Sequence, residues 1–292
     1  MVTVENLLKK YDIGVNDEDV MKTWTQPWRF YHSLENHLKP MMLEIEDLLS
    51  EGLSEEDFEI LTIAAIFHDW VYTPWKLDSN GFLKDEGCTM EESSIKSLDK
   101  LWKKTNNYYK YSDKVYDIIR STQTMKTNNK LEELFFNIDT SPLRSDIGVL
   151  IKNEELLFKE YQFLNWDEYK KNRIKFLNEH LELGGYATSN SIPSLIKIIE
   201  NRKPKIGVYA GSFNPFHKGH MNILEKSEKI FDKVIIAKGK NEGKEINLTQ
   251  FEIESENFKN ILNWREVVTY DGLFTDFIKS QKGDITLVRG LR

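Results

Sequence analysis

From Pro27 to about residue 182 the apolar residues recur at intervals of three and four, in WRFYHSLENHLKPMMLEIEDLL, EEDFEILTIAAIFHDWVY, MEESSIKSLDKLWKK, DKVYDIIRSTQTM and WDEYKKNRIKFLNEHLE. That spacing predicts amphipathic helices and an all-α first domain over residues 1–183. Between 184 and 203 the pattern breaks into GGYATSNSIPS, a short helix-like SLIKIIE and NRKPK, which predicts a linker. From 204 the rhythm changes. Short β-branched runs (KIGVYAG, KVIIAKG, EVVTYDG, ITLVRG) alternate with helical ones (HMNILEKSEKIF, TQFEIESENFKNIL, LFTDFIKSQ). Such alternation predicts an α/β domain over 204–292, a parallel sheet covered by helices and one half of a doubly wound fold.

Composition fits two globular domains, since 292 residues with 40% hydrophobic and 12% aromatic residues can supply a core for each. The net charge of -7 does not favour a nucleic-acid partner. Charge is divided unevenly: 14 Lys and Arg stand against 12 Asp and Glu from Pro204 onward, and 26 against 35 before it. Cys88 is the only cysteine, so no intrachain disulfide can form. The first residues lack a signal-peptide core, and the best apolar run is LTIAAIF, too short for a membrane span. A cytoplasmic protein with no membrane partner is expected.

In the second domain, GVYAGSFNPFHKGH runs from a strand into a helix start and carries two histidines three apart, His217 and His220. Ligands bind at the carboxyl ends of the strands in sheets of this kind, where Gly211, Ser212 and Phe213 fall. Glycine lets the backbone approach a phosphate, and the following helix aims free N–H groups and its dipole at the same spot. Lys244 follows the second strand, and Arg289 and Arg292 follow the fourth. The stretch therefore reads as a phosphate cradle.

GSFNPFHKGH resembles the HxGH motif of nucleotidyltransferases, and FDKVIIAKGKNEGK, VVTYDGLFTDF and ITLVRGLR resemble the phosphopantetheine adenylyltransferase family. The resemblance implies a Rossmann-like domain that joins ATP, with Mg²⁺, to 4'-phosphopantetheine, giving dephospho-coenzyme A and pyrophosphate. It implies that Ser212, His217 and His220 contact nucleotide phosphates, with Gly211, Phe213 and Arg292 also at the nucleotide, and Arg289 at the cofactor toward the acceptor side or the leaving group. His220 and Lys244 are the expected catalytic pair, Lys244 serving the α-phosphate and the acceptor. His217 stands where relatives often have threonine and Asn214 where they often have aspartate. That combination also occurs in nicotinamide or nicotinate mononucleotide adenylyltransferases, a second possible acceptor class. Relatives extend beyond the position of Arg292, so this domain is expected to be incomplete, and a homo-oligomer is possible.

In the first domain, His32 in RFYH, His68 and Asp69 in AAIFHDWVY, and Asp139 in FNIDTSPL form a second candidate set. Adjacent residues on a helix point about 100° apart, so His68 and Asp69 can meet one ion only if other helices add ligands. Imidazole and carboxylate together suit Mn, Fe, Ni, Zn or Mg without choosing among them. A carboxylate beside so apolar a run is costly unless it is paired or binds metal.

Through PWRFYH, IFHDWVY, EESS and NIDTSPL the region resembles the HD-superfamily metal-dependent phosphohydrolases. The resemblance implies His32, His68, Asp69 and Asp139 as ligands, Glu91 or Glu92 near the site, and hydrolysis of a phosphate ester. Asn36 and Met125 occupy places where relatives often carry further histidines. The combined expectation is a phosphohydrolase fused to an adenylyltransferase, the alternative being a nucleotide-sensing protein with only the first domain catalytic.

Overall fold

The computed structural model describes residues 16–105, 110–183, 191–213, 215–239 and 256–290. Their contacts group them into two compact units, one running to Val149 and the other comprising Leu150–Glu182 and the described residues from Ser191 onward. Among the described residues, no helix is long and apolar enough to cross a membrane.

The first unit is helical: α1 (Asp17–Trp24), a π-helical turn (Leu34–Leu38), α2 (Lys39–Ser50), α3 (Glu55–Phe67), α4 (Met90–Thr105), α5 (Ser112–Thr124) and α6 (Lys130–Asp139). Polar caps set where the helices start. Asn16, Ser54 and Asn129 each accept a hydrogen bond from a backbone N–H of the first turn. At the centre lies α3, whose residues Ile60 to Phe67 are all 0% exposed. A helix that is apolar all round needs neighbours on every side, and α2, α4, α5 and α6 pack against it.

The second unit holds α7 (Ile147–Glu160) from Leu150 onward, α8 (Trp166–Leu183) as far as Glu182, and α9 (Ile192–Asn201). There follow β1 (Lys205–Gly211), α10 (Lys218–Glu228), β2 (Lys233–Gly239), α11 (256–262), β3 (Glu266–Tyr270), α12 (Phe274–Ser280) and β4 (Asp284–Val288). The sheet is wholly parallel in the order β3-β2-β1-β4. Strand alternation divides its core in two. Tyr209, Val234 and Ile236 face α10 and α11, while Val208, Ile235 and Ala237 face α12.

This division of the chain differs from the expected one of 1–183, 184–203 and 204–292. The hairpin of α7 and α8 is bound to the sheet: Gln162 accepts from the Val234 N–H, Lys159 donates to the Glu228 carbonyl, and Arg202 joins Glu155 and Asp232. The supposed linker contains α9, with Ile192, Leu195 and Ile199 buried. Amphipathic spacing tells that a helix has a partner, and α7 and α8 have theirs in the parallel sheet.

One bond of this hairpin involves a buried charge. Lys233, 1% exposed, donates to the Leu164 carbonyl and pairs with Glu266 at 2.5 Å. Burial pushes its ammonium below the usual lysine range despite the carboxylate. Removing one partner of such a pair costs more than replacing both. Glu266→Ala is expected to destabilise this unit by about 3 kcal/mol, and the double replacement Lys233→Met with Glu266→Leu by about 1 kcal/mol. Urea unfolding followed by tryptophan fluorescence measures both, and equal losses would contradict the uncompensated-charge account.

Candidate functional sites

In the helical unit, the fully buried α3 ends on His68, which caps it, and Asp69 follows. His68 Nδ1 lies 2.9 Å from the Ala65 carbonyl oxygen. A carbonyl only accepts, so Nδ1 carries the proton and Nε2 is bare in the neutral ring. Nε2 is 3.3 Å from Asp69 Oδ2 and 3.7 Å from Asp139 Oδ1. Asp139 closes α6, and His32 Nε2 lies 4.0 Å from Asp69 Oδ2. All four residues expected from the sequence thus converge.

A fifth joins them that the sequence did not suggest. His37 is 2% exposed, its Nε2 is 3.2 Å from His68 Nε2 and 3.1 Å from Asp139 Oδ1, and two groups of mutually close donors share it: His32–His37–Asp69 and His37–His68–Asp139. The position singled out in the sequence was Asn36, whose amide instead donates to the Phe30 carbonyl and Ser33 Oγ. The π turn accounts for the shift. The N–H groups of Leu38 and Lys39 bond to carbonyls five residues back, which inserts one residue into the turn and brings His37 to face the site. Met125 ends α5 in the left-handed region at φ 53°.

Charge within the cluster is strongly coupled. Burial alone would lower the His68 pKa, but Asp69 and then Asp139 push it up to about 9. Burial works to raise Asp69, yet neighbouring His68 holds it far below the usual carboxylate range. Burial dominates at His37 and lowers it. Glu91 faces the same centre, its carboxyl raised chiefly by burial and also by Asp69, whereas Glu92 turns away to pair with Arg120 at 2.7 Å.

Arg29, 5% exposed, is a further residue that the sequence did not suggest. Its Nη2 donates to the Asp69 carbonyl at 2.7 Å and the Trp70 carbonyl at 3.2 Å, and Nη1 donates to the His32 carbonyl at 3.3 Å. Its guanidinium lies over the rings of Trp24 and Tyr72. One side chain therefore ties down the backbone of two donors 37 residues apart in sequence. The only sequence cue was its place in PWRFYH.

The donor set fits a divalent ion. Two buried imidazole nitrogens and a carboxylate meet within 3.7 Å, and in the neutral ring Nε2 of His68 is a lone pair that faces another ring nitrogen inside an apolar unit. Such a grouping of lone pairs is costly without a proton or a cation among them.

In the second unit a cleft of about 1080 Å³ opens at the carboxyl edge of the sheet. Strand order reverses between β1 and β4, and the residues that end these two strands line the cleft on either side, as ligand sites do in doubly wound sheets. Gly211, exposed Ser212, Phe213, His217, His220 and exposed Arg289 are all at this cleft. Phe213 adopts φ 47° and is held by stacking on Phe258 and by edge-to-face contact with His220. A Cβ on Gly211 would lie 3.0 Å from the Phe213 ring, so glycine is what lets this turn close.

His217 caps α10. Its Nδ1 accepts from the Gly219 N–H at 3.1 Å, and His220 Nδ1 accepts in return from the His217 N–H at 3.2 Å, with the two rings stacked 3.7 Å apart. Since both Nδ1 atoms are acceptors, both neutral rings carry their proton on Nε2 and present an N–H donor. Burial, with His217 beside it, lowers the His220 pKa. Two donors, a helix N-terminus and Arg289 suit an anion with several oxygens. Lys244, Arg292 and Asn214, expected here from the sequence, lie outside the described residues.

Comparison with known proteins bears on this unit. Residues 208–292 match the cytidylyltransferase-like family. Phosphopantetheine adenylyltransferases are similar over the same part: that of Mycoplasma capricolum is 38% identical over 91 residues, covering 30% of this chain and 64% of that protein. That of Porphyromonas gingivalis is 44% identical over 93 residues (31% and 60%), and that of Desulforamulus reducens 44% over 91 residues (30% and 55%). The chain thus spans 55–64% of the length of these relatives. A cytidylyltransferase-like domain on a parallel Rossmann-like sheet therefore forms the C-terminal part.

Stability measurements test the bracing by Arg29. Arg29→Met keeps much of the apolar stem but strands three carbonyls, so a loss of about 3 kcal/mol is expected. Thermal and urea unfolding of the full chain check it. A change below about 1 kcal/mol would mean that water replaces the guanidinium.

Proposed function

We propose that the C-terminal unit transfers an adenylyl group from ATP to a phosphorylated acceptor of the 4'-phosphopantetheine type. The observation that carries this reading is the reciprocal pair of His217 and His220, whose Nε2–H donors stand at a helix N-terminus over the cleft where strand order reverses. The similar proteins from three bacteria are named for that activity.

In this reaction an acceptor phosphate oxygen bonds to the α-phosphorus of ATP while the bond from that phosphorus to the bridging α–β oxygen breaks, releasing pyrophosphate. No covalent nucleophile is needed, and catalysis lies in positioning and in neutralising charge. Gly211 and Ser212 admit the phosphates close to the backbone, and the Nε2–H groups of His217 and His220 donate to phosphate oxygens. Arg289 supplies positive charge from the end of β4, and the resemblance adds Lys244 on the α-phosphate and Arg292 at the nucleotide. Mg²⁺ accompanies ATP as its phosphate counterion.

The test is pyrophosphate release by the full chain with ATP and 4'-phosphopantetheine, beside nicotinamide mononucleotide as competing acceptor. His220→Ala is expected to slow release about 100-fold while changing ATP affinity less than about threefold. Binding of ATP without turnover on either acceptor would replace transfer with nucleotide sensing.

A second reading concerns the helical unit and rests on the convergence of His32, His68, Asp69 and Asp139. We infer a divalent-metal centre of the HD-phosphohydrolase type acting on a phosphate ester. A divalent ion bound there supplies an acidified water and polarises a phosphoryl oxygen. The chain's own part is to fix the donors: the Ala65 carbonyl orients His68, Arg29 holds the backbone at His32 and Asp69, and Glu91 adds a carboxyl whose pKa burial raises.

His68→Ala and Asp69→Ala are each expected to remove the bound ion, read by elemental analysis of the purified chain, while leaving ATP binding by the other unit within about twofold. Full metal content in both variants would reject the site.

A further inference from the structure

We propose that His37 is itself a metal ligand and that the helical unit holds a single ion on five protein donors: His32, His37, His68, Asp69 and Asp139. The inference rests on the divalent-metal reading above and goes beyond it in ligand, count and geometry. Three observations lead to it.

The first is connectivity. The two donor groups of this unit meet at His37, and no other residue belongs to both. His37 Nε2 is the nitrogen that faces His68 and Asp139, and one imidazole nitrogen coordinates one ion. Two ions filling the two groups separately would have to share this one ring.

The second is spacing. With bonds of about 2.1 Å, neighbouring donors around a six-coordinate ion are about 3.0 Å apart and opposite ones about 4.2 Å. The separations here run 3.1 Å for His37–Asp139, 3.2 Å for His37–His68, 3.3 Å for His68–Asp69, 3.7 Å for His68–Asp139 and 4.0 Å for His32–Asp69. These five of the ten pairs among the donors fall within that interval, and the donors of each group lie within 4.8 Å of one another.

The third is the backbone. The π turn costs regular hydrogen bonding and places a histidine, and not Asn36, into the cluster, and single π turns are frequent at functional sites. The rings of Trp24 and Tyr31 pack on His37, with centroids at 6.2 and 5.4 Å, which fixes its plane.

Three imidazoles and two carboxylates make a donor set for a six-coordinate ion such as Mn²⁺ or Fe²⁺ ahead of tetrahedral Zn²⁺, and leave one of six positions without a protein donor. His32, Asp69 and Asp139 have side chains 19%, 19% and 22% exposed, against 3% for His37 and His68. The position without a protein donor is therefore expected on their side of the cluster.

The experiment uses the full chain, stripped with chelator and reloaded with Mn²⁺. Equilibrium dialysis is expected to give one ion per chain, and pulsed electron paramagnetic resonance three coordinated imidazole nitrogens. In His37→Gln the dissociation constant should rise at least about 100-fold, with one imidazole nitrogen fewer; Glu35→Ala, altering an exposed side chain on the same turn, should bind as the unaltered chain does. The nitrogen count on the unaltered chain stands whether or not His37→Gln folds. Two ions per chain, only two imidazole nitrogens, or unchanged binding in folded His37→Gln would overturn the inference while leaving a metal centre in place. Failure to bind Mn²⁺, Fe²⁺ or Zn²⁺ at all would remove both.

Discussion

Which ring nitrogen carries the proton is decided, at the key histidines of both sites, by a backbone hydrogen bond to Nδ1, and the two units use it in opposite senses. At His68 the partner is a carbonyl, Ala65 O, so Nδ1 donates and, in the neutral ring that binding an ion requires, Nε2 is a lone pair aimed at His37, Asp69 and Asp139. At His217 and His220 the partners are N–H groups, so Nδ1 accepts and Nε2 becomes a donor. A lone pair binds cations and a donor binds anions. The difference follows from position: His68 stands at a helix C-terminus, where carbonyls are unpaired, and His217 and His220 stand in the first turn of a helix, where N–H groups are.

The rest of each unit maintains that placement. The C-terminal end of α3 is fixed because the helix has no exposed face from Ile60 to Phe67, and a slip by one residue would put His68 into a hydrophobic wall. Arg29 then takes up carbonyls that would otherwise be stranded near the centre. In the α/β unit the position of α10 depends on a strained turn at Phe213, and the aromatic packing of Phe258 and His220 against that ring offsets the strain. Gly219 belongs to the same device, since a Cβ there would lie 3.0 Å from the capping ring of His217.

What the sequence revealed was whatever lay in one local pattern. His68 and Asp69 follow a seven-residue apolar run, and His217 and His220 stand at helical spacing after a strand. His37 did not show because five residues separate it from His32, a distance that matches neither helical spacing, and only an inserted π residue makes the two rings neighbours. Arg29 did not show because its partners are backbone carbonyls, which no sequence pattern marks. The grouping of α7 and α8 with the sheet did not show for a related reason. Periodicity in α7 and α8 is a property of one helix, whereas membership in a core depends on residues far off, such as Val234 with Gln162 and Asp232 with Arg202.

The uneven charge of the chain acquires a physical reading from these sites. The first 203 residues carry an excess of acidic side chains, and they contain the cluster of lone pairs and carboxylates. The remainder carries a small basic excess, and it contains the donors and Arg289 at the mouth of the cleft. A diffuse field of either sign raises the local concentration of its counterion but selects no ion over another of the same charge. On the readings proposed above, selection rests with a few positioned groups: three imidazoles whose nitrogens would favour a transition metal over Mg²⁺ in one unit, and two Nε2–H donors in the other. In the transfer proposed above, N–H donors would have a particular advantage, because the cleft would admit one polyanion and release another. They lose little solvation when the phosphates leave, whereas a buried cation would be stranded and would hold the product.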